Sequence, residues 1–297
     1  MIKNLVARSV KSGLCAALIL AAAGLGSARA ADDPVTIQIG AASNVLFTPV
    51  FVLADSSNGI AAKHKLRVES RMFNSGIATM EAAIAGDLDV AFPNTRVLLP
   101  LLASGKACFK GGIMFADGDI VRMVNLASIK KPEDLIGKKI GTRKAGIGEM
   151  ALQMWLDANG IARDKVEIVN LSEEDQPIAM AQGKIDGLIW PEPTPSIALR
   201  IMGAKAHRFG DIGRAYRNTG PVNVTCRWIE KNGDVAMKNF VAAWVETIKW
   251  IRANQDAAAA LTAKHLKLTP DEVKKFWADG DSLNGWPLEL TDDQMQI

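Results

Sequence analysis

Thr142-Arg143-Lys144-Ala145-Gly146-Ile147-Gly148 is the stretch of this 297-residue chain best equipped to hold a small molecule. Small and glycine residues let backbone N–H groups approach a ligand, while Arg143 and Lys144 add positive charge. The spacing is neither that of a P-loop nor that of a dinucleotide fingerprint, so nucleotide binding is not expected. Four other segments read as strand ends turning into helices: Ser43 to Thr48, Asn74 to Gly76, Pro93 to Arg96 and Trp190 to Thr194. In parallel α/β sheets a ligand sits at these carboxyl ends, beside unpaired N–H groups and the positive ends of helix dipoles. The candidate ligand-binding residues are Ser43, Asn44, Phe47, Asn74, Ser75, Gly76, Asn94, Thr95, Arg96, Arg143, Gly146, Trp190 and Glu192. Arg96, Arg143 and Lys144 outnumber Glu192 among them, which favours a small organic anion, its carboxylate or sulfonate in an arginine fork. Trp190 and Phe47 would cover an apolar remainder.

Catalytic chemistry finds less support. Asp89 and Asp186 could pass for paired carboxylates, but each stands one residue into its strand, at the end opposite the candidate site, where capping the turn after its glycine is the expected role. Histidines at 64, 207 and 265 have no metal-ligand spacing, no cysteine pairs with a nearby histidine, and no serine elbow occurs. No metal, no cofactor and no enzymatic activity are expected. Glu192 would be the only obvious group for acid–base work in the site.

The elements that must position these residues occur twice. Ile39-Gly40, seventeen residues, and Asn58-Gly59-Ile60-Ala61 recur as Ile140-Gly141, seventeen residues, and Asn159-Gly160-Ile161-Ala162. The echo continues from Ser75 to Ser172 and from Gly86-x-Leu88-Asp89 to Gly183-x-Ile185-Asp186. A unit of that length fits half of a bilobed protein, whose natural ligand site is the seam between the copies.

Residues 1–30 read as a secretory signal peptide: Lys3, Arg8 and Lys11, an apolar run from Gly13 to Gly26, and Ala28-Arg29-Ala30 for cleavage. The run is too short to span a bilayer. Removing the segment leaves 31 basic and 32 acidic residues, so the net charge of +3 becomes −1 and no basic patch marks a nucleic-acid partner. Cys108 and Cys226 then remain in a chain bound for an oxidising compartment. They could form a disulfide; two buried thiols on separate strands are the commoner outcome.

Short apolar strands alternate with helical patterns, as in a parallel sheet with crossover helices. Strands are expected at 36–40, 66–73, 89–92, 108–115, 139–142, 166–171 and 187–190, and helices at 49–58, 77–85, 95–103, 148–159 and 177–182. Gly59 and Gly160 suit helix C-caps. Val222 to Trp228 reads as a further strand and Met237 to Ile251 as an amphipathic helix with Phe240, Val241, Trp244, Ile248 and Ile251 on one face. Thr269-Pro270-Asp271-Glu272 is a capping box opening another helix. Thr291 to Ile297 looks like a helix start with nothing behind it, which suggests a truncated C-terminus.

Three stretches carry a resemblance. Ser128-Ile129-Lys130-Lys131-Pro132-Glu133-Asp134-Leu135-Ile136-Gly137-Lys138-Lys139-Ile140-Gly141 resembles the start of the second lobe in periplasmic solute-binding proteins of ABC importers. Phe73-Asn74-Ser75-Gly76 with Ala85-Gly86-Asp87-Leu88-Asp89-Val90-Ala91-Phe92, and Gly183-Lys184-Ile185-Asp186-Gly187-Leu188-Ile189-Trp190-Pro191-Glu192-Pro193, are similar to the nitrate, sulfonate, taurine and pyrimidine-precursor branch. The resemblance implies a two-lobed type II periplasmic binding protein fold, each lobe a mainly parallel sheet flanked by helices. Lobe I would comprise 33–116 plus 222–297 and lobe II 117–221, with crossovers near Asp117 to Arg122 and near Tyr216 to Pro221. It implies a periplasmic, monomeric protein that takes a small-molecule solute to an ABC permease. Glu192 falls in the family's Trp-x-acid-Pro position, to accept a hydrogen bond from ligand or to orient Arg96 or Arg143. A thiamine-pyrimidine precursor or other neutral heterocycle is the alternative solute; a pyrimidine-synthase-like or lyase enzyme on the same fold is the remoter one, and the synthase's cysteine-rich motif is lacking here. The resemblance also places Cys108 and Cys226 on neighbouring antiparallel strands of lobe I, where a disulfide needs Cα atoms within ~7 Å.

Overall fold

The structure, a computed structural model, describes residues 33–93, 95–118, 120–210, 212, 216, 218–279 and 286. The expected signal peptide and the expected helix start at Thr291 to Ile297 lie outside these residues, as does Asp119 of the first expected crossover. In chain order the elements are β1 (Val35–Ala42), α1 (Thr48–Ala54), α2 (Ile60–Lys63), β2 (Leu66–Phe73), α3 (Gly76–Ala85), β3 (Val90–Ala91), α4 (Thr95–Ala103), β4 (Phe109–Gly118), β5 (Val121–Leu126), β6 (Lys139–Thr142) and α5 (Ile147–Ala158). There follow β7 (Glu167–Asn170), α6 (Asp175–Ala181), β8 (Gly187–Pro191), α7 (Thr194–Met202), β9 (Ala206–Arg208), β10 (Asn218–Thr225), α8 (Cys226–Ala253), α9 (Gln255–Leu266) and α10 (Pro270–Asp279).

Two five-stranded sheets form, in the orders β2-β1-β3-β10-β4 and β7-β6-β8-β5-β9. Within each, the three strands of one sequence copy pair in parallel, β1 between β2 and β3 and β6 between β7 and β8. The fourth and fifth strands join antiparallel. In each sheet four strands run one way and one, β10 or β5, runs against them, so the sheets are mixed and mainly parallel, as expected. The cause is connectivity: β5 and β10 each arrive from the other sheet and so run against the strand that receives them.

The duplicated sequence performs the same work in both copies. The Asp89 carboxylate accepts from the Gln38 N–H at 2.8 Å, and that of Asp186 accepts from the Lys139 N–H at 2.9 Å. Each aspartate thus ties the turn after its glycine to the copy's first strand, within β1 at Gln38 and at the first residue of β6 at Lys139, an inter-strand clamp rather than a local turn cap. The strand glycines are equally matched. A Cβ at Gly40 would stand 2.7 Å from Thr79 of α3 and from Leu88, and one at Gly141 2.6 Å from Ile185, so side chains pack directly onto both strand backbones.

Other expectations shift by local chemistry. The helix expected at 49–58 stops at Ala54, and Ser56–Asn58 forms a 3-10 turn ending at Gly59, whose φ is 71°. The strand expected over Val222 to Trp228 ends at Thr225, whose hydroxyl accepts from the Trp228 N–H at 3.3 Å and starts α8. Gly233, with φ of 82°, breaks α8 before its apolar face. On that face Phe240, Trp244, Ile248 and Ile251 are at most 1% exposed and join a core with Ile37, Ile39, Phe51 and Trp277; Val241 is half-buried. The capping box forms as expected, with Thr269 and Glu272 exchanging hydrogen bonds. No helix of the described residues is long and apolar enough to cross a membrane.

Cys108 and Cys226 are bonded, their Cα atoms 5.4 Å apart. Cys108 lies just before β4 and Cys226 just after β10, neighbouring antiparallel strands, and the Cys226 N–H donates to the Cys108 carbonyl at 3.0 Å. The alternative of two buried thiols fails because Cys108 is exposed.

His265 stacks on Phe51 with ring centroids 4.6 Å apart. Burial, aided by Lys264 and opposed by Asp55, lowers its pKa below the ordinary 6.5. The unfolded chain then binds a proton where the folded one resists it, so stability present above pH ~6.5 is expected to decline as pH falls below that value. Thermal midpoints from pH 7.5 to 5 check this: His265→Gln should show a shallower decline than the parent.

Candidate functional site

A cleft opens where the carboxyl ends of the strands of both sheets meet, with roughly 750 Å³ of non-atom space, part of it continuous with solvent. From the first sheet unit come Asn44, Leu46 and Phe47 after β1, Asn74 to Ile77 after β2, and Phe92 and Pro93 after β3. The second supplies Ala145 to Ile147 and Met150 from the start of α5, Glu173 before α6, and Trp190 and Pro191 at the end of β8. Ile120 lines it from the connection between β4 and β5, and Gly220 from the first residues of β10. The walls are largely apolar and aromatic, as small-molecule sites usually are.

Local sequence explains the backbone on each side. Ser75 caps α3, its hydroxyl accepting from the Ala78 N–H at 3.2 Å, and Gly76 is required because a Cβ there would stand 2.6 Å from the Phe92 carbonyl. The first turn of α5 has no side-chain cap after Gly146. A Cβ at Gly148 would fall 2.4 Å from the Ile189 carbonyl and 2.2 Å from the Thr142 hydroxyl. Gly146 in turn lies against the Trp190 ring. The glycines of 142–148 therefore serve first to press α5 onto β8 and Trp190, and secondly to present free N–H groups. On the facing wall, Phe47 meets Phe92 edge-on at 5.4 Å, and Phe92 stacks on buried Trp244 at 5.7 Å.

Asn44, Phe47, Asn74, Ser75, Gly76, Gly146 and Trp190 line the cleft as expected from their strand ends. Ser43 and Thr95 stand beside it without lining it. Asn94 and the Arg96 side chain lie outside what the structure describes. Glu192 is 3% exposed and turned away: Oε1 accepts from Arg208 at 2.6 Å and Oε2 from the Ser196 N–H at 3.2 Å. It does not orient Arg143, which pairs with Glu173; it ties β9 to the first turn of α7. Lys144 does not line the cleft, and its N–H is taken by the Asn170 side chain at 2.9 Å.

Arg143 is also redirected. Its Nη2 donates to Glu173 Oε2 at 3.0 Å, the two side chains being 27% and 7% exposed. Glu173, not expected from the sequence, is the one ionisable side chain among the described lining residues. The repeat carried its signal: Ser75 matches Ser172, so the residue matching Gly76 is Glu173. The polar wall around it is short of partners, with Arg143 Nε and both amide atoms of fully buried Gln176 unbonded among the described residues. Among the described residues no group of three or more His, Cys, Asp or Glu is placed to hold a metal ion.

A model of the family described as NMT1/THI5 like matches residues 119–258. A protein of Brucella abortus (strain 2308) named as a candidate binding protein is 27% identical over 299 aligned positions, covering 93% of this chain and 90% of its own. The taurine-binding periplasmic protein of Escherichia coli K12 is 30% identical over 140 residues, 46% of this chain and 43% of its own. The crystal structure of the periplasmic aliphatic sulphonate binding protein of Escherichia coli superposes with a TM-score of 0.69 at 20% identity, over 86% of this chain and 84% of that one. The chain thus has the periplasmic binding protein fold, and its sequence is similar to the NMT1/THI5 like family through the second sheet unit and into α9.

Proposed function

We propose that the protein is the extracytoplasmic solute-binding component of an ABC importer. It captures a small organic molecule between two lobes, 33–116 with 222–297 and 117–221, and delivers it to a membrane permease. The observation that carries this reading is a cleft walled from both sheets at their strand ends, with aromatic faces and helix N-termini and, among the described residues, no acid–base pair beyond the Arg143–Glu173 ion pair. The relatives named for binding taurine and sulfonate support it. Contacts to both lobes favour the closed form, so binding is expected to be reversible and accompanied by compaction. A metabolite extract screened by thermal shift, followed by scattering with and without the hit, tests this. Conversion of the hit in proportion to protein, or binding with no compaction, would count against it.

The finer expectation of an organic anion rested on Arg143, Lys144 and Arg96 outweighing Glu192. Three of those groups stand differently in the structure: Arg143 is committed to Glu173, Lys144 is off the cleft and Glu192 is off it too. If an anion is nonetheless the solute, Arg143→Ala should cost about 1.5–3 kcal/mol of binding, the size of a hydrogen bond to a charged group, in addition to the stability lost by leaving the nearly buried Glu173 without its partner. Titration calorimetry with taurine and an alkanesulfonate measures this directly.

A further inference from the structure

Glu173 carries a consequence for the solute that goes beyond the named relatives. Its carboxylate is held on one side only: Oε2 takes the Arg143 hydrogen bond, and Oε1 has no donor among the described residues. The side chain is 7% exposed and lines the cleft together with Asn74, Phe47 and Phe92 of the first sheet unit. The pair is neutral in sum, yet polar in arrangement. An anion entering here meets the Oε1 carboxylate oxygen, and an ammonium drawn to that oxygen meets the guanidinium bound to Oε2; for either ion the opposite charge of the pair cancels much of the attraction. A solute without net charge that offers an N–H escapes both repulsions and completes the hydrogen bonding of an ionised acceptor, the stronger class of hydrogen bond.

Resting on the solute-binding reading, we propose that Glu173, pinned by Arg143, is the specificity-determining residue of the cleft. It takes an uncharged solute through an N–H directed at Oε1 and turns away small anions. Trp190 and Phe47 accept the flat or apolar body.

Three ring-matched probes separate the possibilities: benzamide, benzenesulfonate and benzylammonium, each titrated calorimetrically into the folded protein. Benzamide is expected to bind more tightly than either ion by about 10- to 100-fold, the equivalent of one hydrogen bond to a charged group. In Glu173→Gln the freed Arg143 should reverse the order of benzamide and benzenesulfonate, an exchange that a merely structural role would not produce. Glu173→Ala, checked for folding by circular dichroism, should lose the benzamide preference. Wild-type protein that prefers benzenesulfonate or benzylammonium overturns the proposal, as does an order unchanged in both variants, and so does failure of benzamide to bind at all. None of these results touches the solute-binding reading, which stands or falls on closure around a hit from the extract.

Discussion

Replacing both Cys108 and Cys226 with serine is expected to lower the unfolding free energy by about 3–5 kcal/mol. The bond closes a loop spanning 118 residues, and the entropy that so long a crosslink removes from the unfolded chain is near the top of the usual range. For a protein of this size the thermal midpoint should fall by roughly 10 °C. Because Cys108 is exposed, a thiol reductant should produce the same fall in the parent and none in the double variant. A midpoint unmoved by either treatment would mean that the crosslink constrains nothing the fold does not already hold.

Trp244→Ala should have an effect of similar size with a different signature. The ring is fully buried, packs on Phe240 and stacks on Phe92, which is a wall of the cleft. Truncating a buried tryptophan costs about 3–5 kcal/mol, because lost contacts and an unfilled cavity add together. Phe92 would lose its support, and Phe47, which meets it edge-on, would lose its own in turn. Binding of any solute should therefore weaken at temperatures where the variant remains folded, whereas the serine variant at the disulfide should bind as the parent does. Denaturation curves and calorimetry on the two variants distinguish a core that shapes the cleft from one that only holds the chain.

Local signals were legible in the sequence because they depend on neighbours along the chain. Gly59, Ser75, Gly76 and the Thr269–Glu272 box each fix one turn with their own side chain or the lack of one, and each falls where the pattern predicts. The repeat disclosed two equivalent sheets for the same reason. What required the third dimension was partner choice. Glu192 stands at a strand end with an acid's chemistry, but Arg208, sixteen residues on, reaches it first. Arg143 is claimed by Glu173, thirty residues away. The start of α8 was hidden by composition, since Val222 to Trp228 is built almost entirely of strand-forming residues and only the Thr225 hydroxyl turns the chain into a helix.

The strand order also bears on how the chain reaches this state. In the first sheet β10 sits between β3 and β4 and is β4's one partner in the sheet order. Residues 109–118 therefore wait for residues 218–225, a hundred positions later, before their backbone can be paired. Until then β3 is an open edge and β4 is unpaired, a half-finished template of the sort that recruits other chains. A nascent chain can pair β1, β2 and β3 early, but one ending before Asn218 would carry that exposed edge permanently. Slow, late closure of the first sheet is built into its connectivity, with high contact order as the physical cause.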